Sequence, residues 1–466
     1  MANENYGNQG LNRRQFLRNM GLGGVSLLGG SALLAACAPA SSTTSGGAPT
    51  TTGAVGTTSS TAAPTTSAAA GRLIKIGYVS PKTGPFAGFG EADDFTISQV
   101  NGIFADGLSV AGKVHPVQII TKDSTGNPVT AGEVASELIL DDAIDLMVVE
   151  STPETTNPVA DQCELNGIPC VSAITPWQPW FIGRGGDPAS GVGFKWTYHY
   201  FWGLEGLIPQ FIALWDKLET NKRVGGLFPN DGDGQAWSAN FPEPLAGAGY
   251  ELIDPGLYEQ LATDYSAQIQ AFEDCDIITG VPLPPEFATF WTQAAQQGLS
   301  PIAATIGKAL LFPTDVEALD GDSGDGLSSE VWWSPYHPFK SSLTGETSAQ
   351  IAEAYTSATS RQWTQVVGFC HSLFEVAADV FQRTEDVDDR ESVLAAVVAT
   401  DLDTLVGQVT WSAGAGPKNP VPNVCTTPLV GGQWKLGGDF KYDMTIVDNS
   451  QFPDIPTNGE FTPIGG

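Results

Sequence analysis

Histidine and cysteine, the residues that most often build metal and redox sites, are scarce in this sequence. It has four histidines, six cysteines and no C-x-x-C pair among 466 residues. Zinc sites usually need closely spaced ligands of these types, so a zinc centre has little support. The acidic loop Asp320 to Gly326 lacks the spacing of an EF-hand, because a glycine stands where a ligand is required. We therefore expect no metal and no cofactor.

Basic residues are also few. Lysine and arginine number 21 against 52 aspartates and glutamates, which gives a formal net charge of −31. Proteins that bind nucleic acid neutralise phosphates with lysine and arginine, so this function is excluded. The acidic residues are spread along the chain, which is typical of a solvated acidic surface.

The common motifs of catalysis and nucleotide binding are missing. There is no G-x-S-x-G, no Walker A sequence, no G-x-G-x-x-G after a strand and no H-E-x-x-H. Each motif reflects a specific chemical requirement, such as an exposed nucleophile or a phosphate cradle. We therefore expect the chain not to be an enzyme. Its scattered carboxylates could form a catalytic pair, so an exported hydrolase stays the least favoured alternative.

One apolar run stands near the start of the chain, from Met20 to Ala36. It follows the paired arginines Arg13-Arg14 and ends in Leu34-Ala35-Ala36-Cys37. This order indicates a twin-arginine signal peptide over residues 1–36 and a lipobox that leaves Cys37 lipidated. The run is short and glycine-rich for a membrane-spanning helix. We expect an exported lipoprotein anchored on the outer side of the cytoplasmic membrane; the alternative is an ordinary signal peptide with a chance cysteine.

Residues 37–71 resemble a tether. They are mostly serine, threonine, alanine, glycine and proline, without a charge until Arg72. Such a segment buries too little apolar surface to offset the entropy of ordering, so it stays flexible. The remaining stretch of about 395 residues exceeds one ordinary domain, and we expect two lobes.

From Leu73 onward the sequence alternates between short apolar runs and amphipathic segments. The runs predict strands at Leu73–Val79, Val117–Ile120, Ile144–Val149 and Ile168–Ile174. Similar runs recur after Leu204, at Arg223–Phe228, Cys275–Gly280 and Ile302–Ile306. The alternation predicts an α/β fold with two Rossmann-like lobes, parallel sheets and a hinge. Ligands then bind outside the carboxyl ends of the strands.

Several short motifs occur in an order shared with a known family. They include Ile74-Lys75-Ile76-Gly77, Thr83-Gly84-Pro85, Asn157-Pro158-Val159-Ala160 and Asn166-Gly167-Ile168-Pro169. With these motifs the chain resembles the type I periplasmic binding proteins. Among them, it is most similar in pattern to the branched-chain amino acid-binding proteins of ABC importers. The resemblance covers roughly Leu73 to Asn449. It implies a monomer that captures a small molecule and passes it to ABC permease subunits.

The resemblance also implies lobe boundaries. Lobe 1 would comprise residues 72–196 and 331–405, and lobe 2 residues 197–330 and 406–450. Residues 451–466 would form a C-terminal tail.

Carried over by position, the resemblance places ligand-binding residues on lobe 1. The ligand carboxylate would be held by the segment containing Thr152, Glu154 and Thr155, together with Ala173 and Thr175. Phe89 falls at the family's aromatic position in the first turn. Alternatively, the hydroxyls cap helices and Phe89 packs under its loop.

On lobe 2 the chain departs from the family pattern. Asp233 stands where relatives have tyrosine and glycine, Leu283 replaces a tyrosine, and Lys308 lies near the position of a glutamate that holds an α-ammonium. A lysine there would attract a carboxylate, while Asp233 would offer a counter-charge or shape a turn. We therefore expect a small carboxylate-bearing, amino-acid-like or aromatic/amide ligand, and not leucine, isoleucine or valine. Trp177 would stack on it at the cleft mouth, or belong to the core.

Without Cys37, five cysteines remain, so at least one thiol is free. Cys163 and Cys170 lie at a helix end and on the following strand, and export permits a short-loop disulfide between them. The leading hypothesis is a substrate-binding lipoprotein of an ABC importer. The alternative of a different class is a ligand-sensing ectodomain that signals to a membrane receptor, since it would share the fold.

Overall fold

The computed structural model describes residues 69–465, so the predicted signal peptide, Cys37 and most of the tether lie outside the described residues. The strands are β1 (Ala69–Ala70), β2 (Ile74–Ser80), β3 (Leu108–Val110), β4 (Lys113–His115), β5 (Val117–Asp123), β6 (Leu146–Glu150), β7 (Cys170–Ala173), β8 (Thr197–Tyr200), β9 (Arg223–Leu227), β10 (Glu251–Ile253), β11 (Ile277–Gly280), β12 (Ala303–Ile306), β13 (Ser328–Val331), β14 (Asp401–Thr404), β15 (Gly407–Thr410), β16 (Val424–Cys425), β17 (Val430–Leu436) and β18 (Tyr442–Asp448).

Helices connect most of these strands. They are α1 (Asp93–Ile103), α2 (Pro128–Leu140), α3 (Pro153–Asn166), α4 (Trp177–Phe181), α5 (Leu204–Trp215), α6 (Gly232–Asn240), α7 (Pro242–Gly247), α8 (Ser266–Ala271), α9 (Pro284–Gln296), α10 (Pro313–Glu317), α11 (Ser348–Thr359), α12 (Val366–Arg383) and α13 (Arg390–Val398). Short 3-10 turns span Ala87–Gly90 and Phe104–Asp106. None of the helices between residues 69 and 465 is both long and apolar enough to cross a bilayer.

The first sheet is six-stranded and parallel throughout, in the order β16-β8-β7-β6-β2-β5. Strands β6 and β7 are buried at every residue, as expected where helices cover both faces of a parallel sheet. Helix α12 is buried around nearly its whole circumference and packs against β6 and β7.

The second sheet has seven strands in the order β10-β9-β11-β12-β13-β17-β18. Its first five strands are parallel, and β17 and β18 add an antiparallel edge. The predicted fold class, α/β with two parallel-sheet lobes, is confirmed.

Two strands belong to a different sheet from the one the sequence suggested. Thr197–Tyr200 and Val424–Cys425 fall in ranges assigned to lobe 2, yet both strands pair in the first sheet. The reason is that β8 continues the parallel register of β7, and β16 then pairs with the free edge of β8. The lobe boundaries themselves remain a prediction.

The predicted disulfide between Cys163 and Cys170 is not formed. Both cysteines are free thiols with no exposed surface, packed in one apolar cluster of lobe 1. Burial and the neighbouring Cys170 raise the pKa of Cys163 well above its ordinary value, so the reactive thiolate is disfavoured.

Gly368, the third residue of α12, gives a test of this packing. A Cβ built at Gly368 would lie 2.3 Å from Cγ of Trp333, so an alanine forces the indole or the helix to move. We expect Gly368→Ala to lower the free energy of unfolding by about 1–3 kcal/mol, measured by urea denaturation.

Gly102→Ala is the matched control. Gly102 also lies in a helix, α1, but its added Cβ has no heavy atom within 4 Å. The free energy of unfolding of this variant should rise by about 0.5–1 kcal/mol, because alanine has a higher helix propensity than glycine. Equal effects at the two positions would contradict the described packing of α12.

Candidate functional site

A small, mostly apolar cavity lies where the carboxyl ends of the two parallel sheets face each other. This is the position at which open α/β sheets bind ligands. From the first sheet and its loops it is lined by Phe89, Thr152, Ile174, Pro176, Phe201 and Trp202. From the second it is lined by Asp233, Trp237, Val281, Lys308, Leu311, Glu330 and Trp332.

Strand ends position almost all of these side chains. Thr152 follows β6 and is the residue before α3, and Phe201 and Trp202 follow β8. On the other wall, Val281 directly follows β11 and Trp332 directly follows β13. Because parallel strands end at a common edge, residues far apart in sequence converge on one cavity.

Lys308 is the one lysine of the cavity wall, and its charge is already compensated. Its Nζ lies 3.0 Å from Oδ2 of Asp231 and 2.8 Å from Oδ2 of Asp233, and all three side chains are buried. Burial alone would lower the pKa of Lys308, but the two aspartate charges raise it well above its ordinary value. Lys308 is therefore a permanent cation that balances the aspartates, and the expectation that it attracts a ligand carboxylate needs correction.

Two carboxyl groups of the wall titrate near neutrality. Burial raises the pKa of Asp233 to about 7, against the attraction of Lys308. Burial likewise raises the pKa of Glu330 to about 7, while a hydrogen bond from the Ser329 hydroxyl opposes the shift. These two groups make the polar part of the wall neutral to negative.

Backbone strain marks both walls. Ile174 has φ of 68° and Lys308 has φ of 55°, a left-handed conformation that non-glycine residues rarely adopt. Each follows closely on a strand end, β7 and β12 respectively. Such strained residues cluster at ligand clamps, where surrounding structure holds them in place.

Four of the residues predicted from the sequence line the cavity: Phe89, Thr152, Asp233 and Lys308. Their ligand roles remain predictions. Phe89 stands at the lip, where its ring meets Phe312 edge-on at 4.9 Å between centroids. Thr152 has a buried hydroxyl without a hydrogen-bond partner among the described residues.

The other predicted residues do not line this cavity. Ala173 is the last residue of β7. The Thr175 hydroxyl donates to the Ser151 carbonyl at 2.8 Å, and Trp177 Nε1 donates to Glu205 at 2.8 Å. Leu283 caps α9, with its N–H donating to Glu286.

Glu154 and Thr155 occupy the start of α3, outside the cavity. Glu154 accepts from the Gly232 N–H at 3.3 Å and lines a separate surface cavity, and the Thr155 hydroxyl is buried.

Sequence reasoning missed several of the lining residues, among them Ile174, Trp202, Trp237 and Glu330. Trp202 lies close to the predicted lobe boundary between residues 196 and 197. A signal was present, because a crossing segment that follows a strand end must pass the cleft. Nothing local distinguishes Glu330 from other acidic residues.

One buried group could offer metal ligands. Atoms of Asp93, Glu150 and Cys370 lie within 4.8 Å of one another. The Tyr78 hydroxyl is 2.7 Å from Asp93 Oδ1 and 3.0 Å from Glu150 Oε1, so it already joins the two carboxyls. Burial raises the pKa of Asp93 to about 6 and, together with the charge of Asp93, raises that of Glu150 well above its ordinary value. A protonated Glu150 in this hydrogen-bonded network explains the group without an ion.

At the lip, the turn before α1 meets α10 of the other wall. Glu91 forms an ion pair with Arg361 at 2.5 Å and accepts from the Thr314 hydroxyl at 3.4 Å. Asp315 lies next to this group with a buried, unpartnered Oδ2. Burial and the charge of Glu91 raise the pKa of Asp315 from 3.8 to about 7.

Replacing Asp315 tests this contact through pH. Between about pH 4 and pH 7 the folded protein keeps a proton on Asp315 that the unfolded chain releases, so the parent loses stability as pH rises through that window. We expect Asp315→Asn to match the parent near pH 4 and to exceed it at pH 8 by on the order of 1 kcal/mol or more, by denaturant unfolding. Asp320→Asn, in an exposed loop, should show no such pH-dependent difference. A constant difference between Asp315→Asn and the parent across pH would refute the assignment.

Comparison with known proteins agrees with this geometry. A family model described as periplasmic binding protein matches residues 73–422. None of the curated proteins matches the chain.

Solved structures with the same fold include a leucine-binding protein, LivK, from Thermotoga maritima, with 18% identity and a TM-score of 0.64 over 81% of this chain and 99% of that one. A solute-binding protein of an ABC transporter from Rhodopseudomonas palustris, in complex with 3,4-dihydroxybenzoic acid, has 18% identity and a TM-score of 0.62 over 80% and 95% of the chains. LivJ from Streptococcus pneumoniae, in complex with isoleucine, has 14% identity and a TM-score of 0.59 over 81% and 99%. The chain thus belongs to the periplasmic binding protein family, with the type I fold of the branched-chain amino acid-binding group.

Proposed function

We propose that the protein is the extracytoplasmic substrate-binding lipoprotein of an ABC importer, which captures a small carboxylate-bearing ligand with an aromatic or apolar part. The observation that carries this proposal is the cavity walled by strand ends of both sheets. A ligand held by two walls favours their closure, and a permease can recognise the closed form. The protein catalyses no reaction itself.

The lining supports the ligand class. Phe89, Phe201, Trp202, Trp237 and Trp332 give the cavity five aromatic side chains, which favours a flat or apolar ligand body. The related structures have been solved as a leucine-binding protein and with isoleucine or 3,4-dihydroxybenzoic acid, all of them small carboxylates. Since Lys308 is compensated, the carboxylate has to be held by other groups, of which the Thr152 hydroxyl is one.

The predicted signal peptide and lipobox at the start of the chain indicate where the protein is located. We infer that a lipid on Cys37 anchors the protein and that residues 38–71 tether a monomeric body, which reaches the permease from the outer side of the cytoplasmic membrane. Co-purification of permease subunits with the full lipidated chain separates transport from sensing. A signalling receptor recovered in their place would favour the sensing alternative.

A thermal-unfolding screen of residues 66–466 tests ligand capture. The panel holds branched-chain and aromatic amino acids, amides, aromatic carboxylates and small dicarboxylates. A ligand at a hundred times its dissociation constant adds about 2.7 kcal/mol, which is a clear shift. We expect shifts with aromatic carboxylates, and the ligand should be recovered chemically unchanged. If no compound of the panel shifts the unfolding temperature, capture of small carboxylates is contradicted. Chemical conversion of a bound compound would favour the hydrolase alternative.

Thr152→Val provides a site-specific check. It keeps the side-chain shape and removes the hydroxyl that lines the cavity, so affinity for the panel ligand should fall about tenfold. Thr156→Val is the matched control, because this hydroxyl is also buried and unpartnered but does not line the cavity. Equal losses for both variants would place the ligand elsewhere.

A further inference from the structure

Four polar atoms of the cavity residues are buried without a hydrogen-bond partner among residues 69–465. They are Nε1 of Trp202, Nε1 of Trp332, Oγ1 of Thr152 and Oδ1 of Asp233. Buried polar groups in folded proteins are nearly always hydrogen-bonded, so unpartnered ones around a cavity point to a ligand. An indole N–H only donates, whereas a carboxylate oxygen only accepts.

The two indole donors come from opposite walls. Trp202 follows β8 of the first sheet, and Trp332 follows β13 of the second. Phe201 contacts both, with its ring centroid 4.8 Å from Trp202 and 5.5 Å from Trp332. Rings of this kind are held firmly by packing, so their N–H groups are preorganised donors.

Many other indoles of the described chain have protein acceptors. Trp177, Trp215 and Trp434 donate to Glu205, Thr305 and the Leu310 carbonyl, each at 2.8 Å. Trp180 and Trp333 also have unpartnered N–H groups but do not line the cavity. They therefore serve as controls.

The charges around the cavity determine which groups can bind an anionic oxygen and which can accept a hydrogen bond. Lys308 is engaged by Asp231 and Asp233, which leaves neutral donors to receive an anionic oxygen. Oδ2 of Asp233 faces Lys308, whereas its Oδ1 is free to accept. The cavity thus offers two indole donors, a hydroxyl and one carboxylate acceptor.

We propose that the indole N–H groups of Trp202 and Trp332, one from each wall, hold the carboxylate of the ligand, and that Asp233 accepts from a separate hydroxyl or amino group on it. This proposal rests on the proposed function and narrows its ligand to a hydroxy- or amino-substituted carboxylate with a flat body. It also links capture to closure, because the carboxylate reaches both indoles only when the walls are close together.

The direct test is NMR of the parent protein labelled with ¹⁵N-tryptophan, titrated with 4-hydroxybenzoate. The side-chain N–H resonances of Trp202 and Trp332 should move downfield, while those of Trp180 and Trp333 stay in place. Saturable binding of 4-hydroxybenzoate that leaves the Trp202 and Trp332 resonances unmoved would overturn the proposal.

Calorimetry of Phe variants adds a second readout. Trp202→Phe and Trp332→Phe keep an aromatic ring and remove the N–H, so each should weaken 4-hydroxybenzoate binding about tenfold or more. Trp180→Phe should bind as the parent does, and the unfolding temperature of every variant confirms its fold. Plain benzoate, which lacks the second donor, should bind the parent more weakly than 4-hydroxybenzoate.

The outcomes separate the two proposals. A panel ligand that binds the parent and both Phe variants equally overturns the indole assignment but leaves solute capture standing. If no panel member binds the parent, the proposed function itself is contradicted.

Discussion

Parallel strands end at a common edge, and the rest of this structure depends on that constraint. Crossover helices cover both faces of each sheet, so β6, β7, β11 and β12 are buried at every residue. Polar or strained residues such as Thr152, Ile174 and Lys308 stand just past strand ends. Two such edges facing each other produce a cavity whose wall is assembled from eight separate chain segments, each of which contributes one or two side chains.

Charge compensation at Lys308 decides what this cavity can recognise. A buried ammonium between two carboxylates at 2.8 and 3.0 Å is held by its partners, and removal of one partner would leave an unpaired buried charge. Its role is therefore to neutralise two buried aspartates, one of which, Asp233, lines the cavity. In the proposed binding mode, recognition depends on neutral hydrogen-bond donors, aromatic surface and the free oxygen of Asp233. This mode would let a strongly acidic protein bind an anion without a cationic pocket.

Local patterns of the sequence predicted the strands of the fold well. The apolar runs at Leu73–Val79 and Arg223–Phe228 became β2 and β9 with ends shifted by one residue. Phe89, Thr152, Asp233 and Lys308 were found by carrying positions over from the resembled family, and all four line the cavity.

The features that could not be predicted from the sequence are contacts between residues far apart in the chain. The pairing of Lys308 with Asp231 and Asp233 spans more than 70 residues, and it reversed the argument from the lysine's charge. The same holds for the indoles: Trp177 and Trp332 look alike locally, yet only Trp177 has an acceptor, Glu205. The Cys163–Cys170 disulfide failed for a related reason, since spacing permits a bridge but does not require one.

Native mass spectrometry of the full chain, purified from its own membranes, tests the central claim most directly. The account predicts that each chain carries one small carboxylate, which is released on unfolding and restores the bound mass when added back to the refolded protein. A chain that shows the polypeptide and lipid mass alone, and gains nothing from an extract of its growth medium, would contradict a solute-binding cavity between the two sheets.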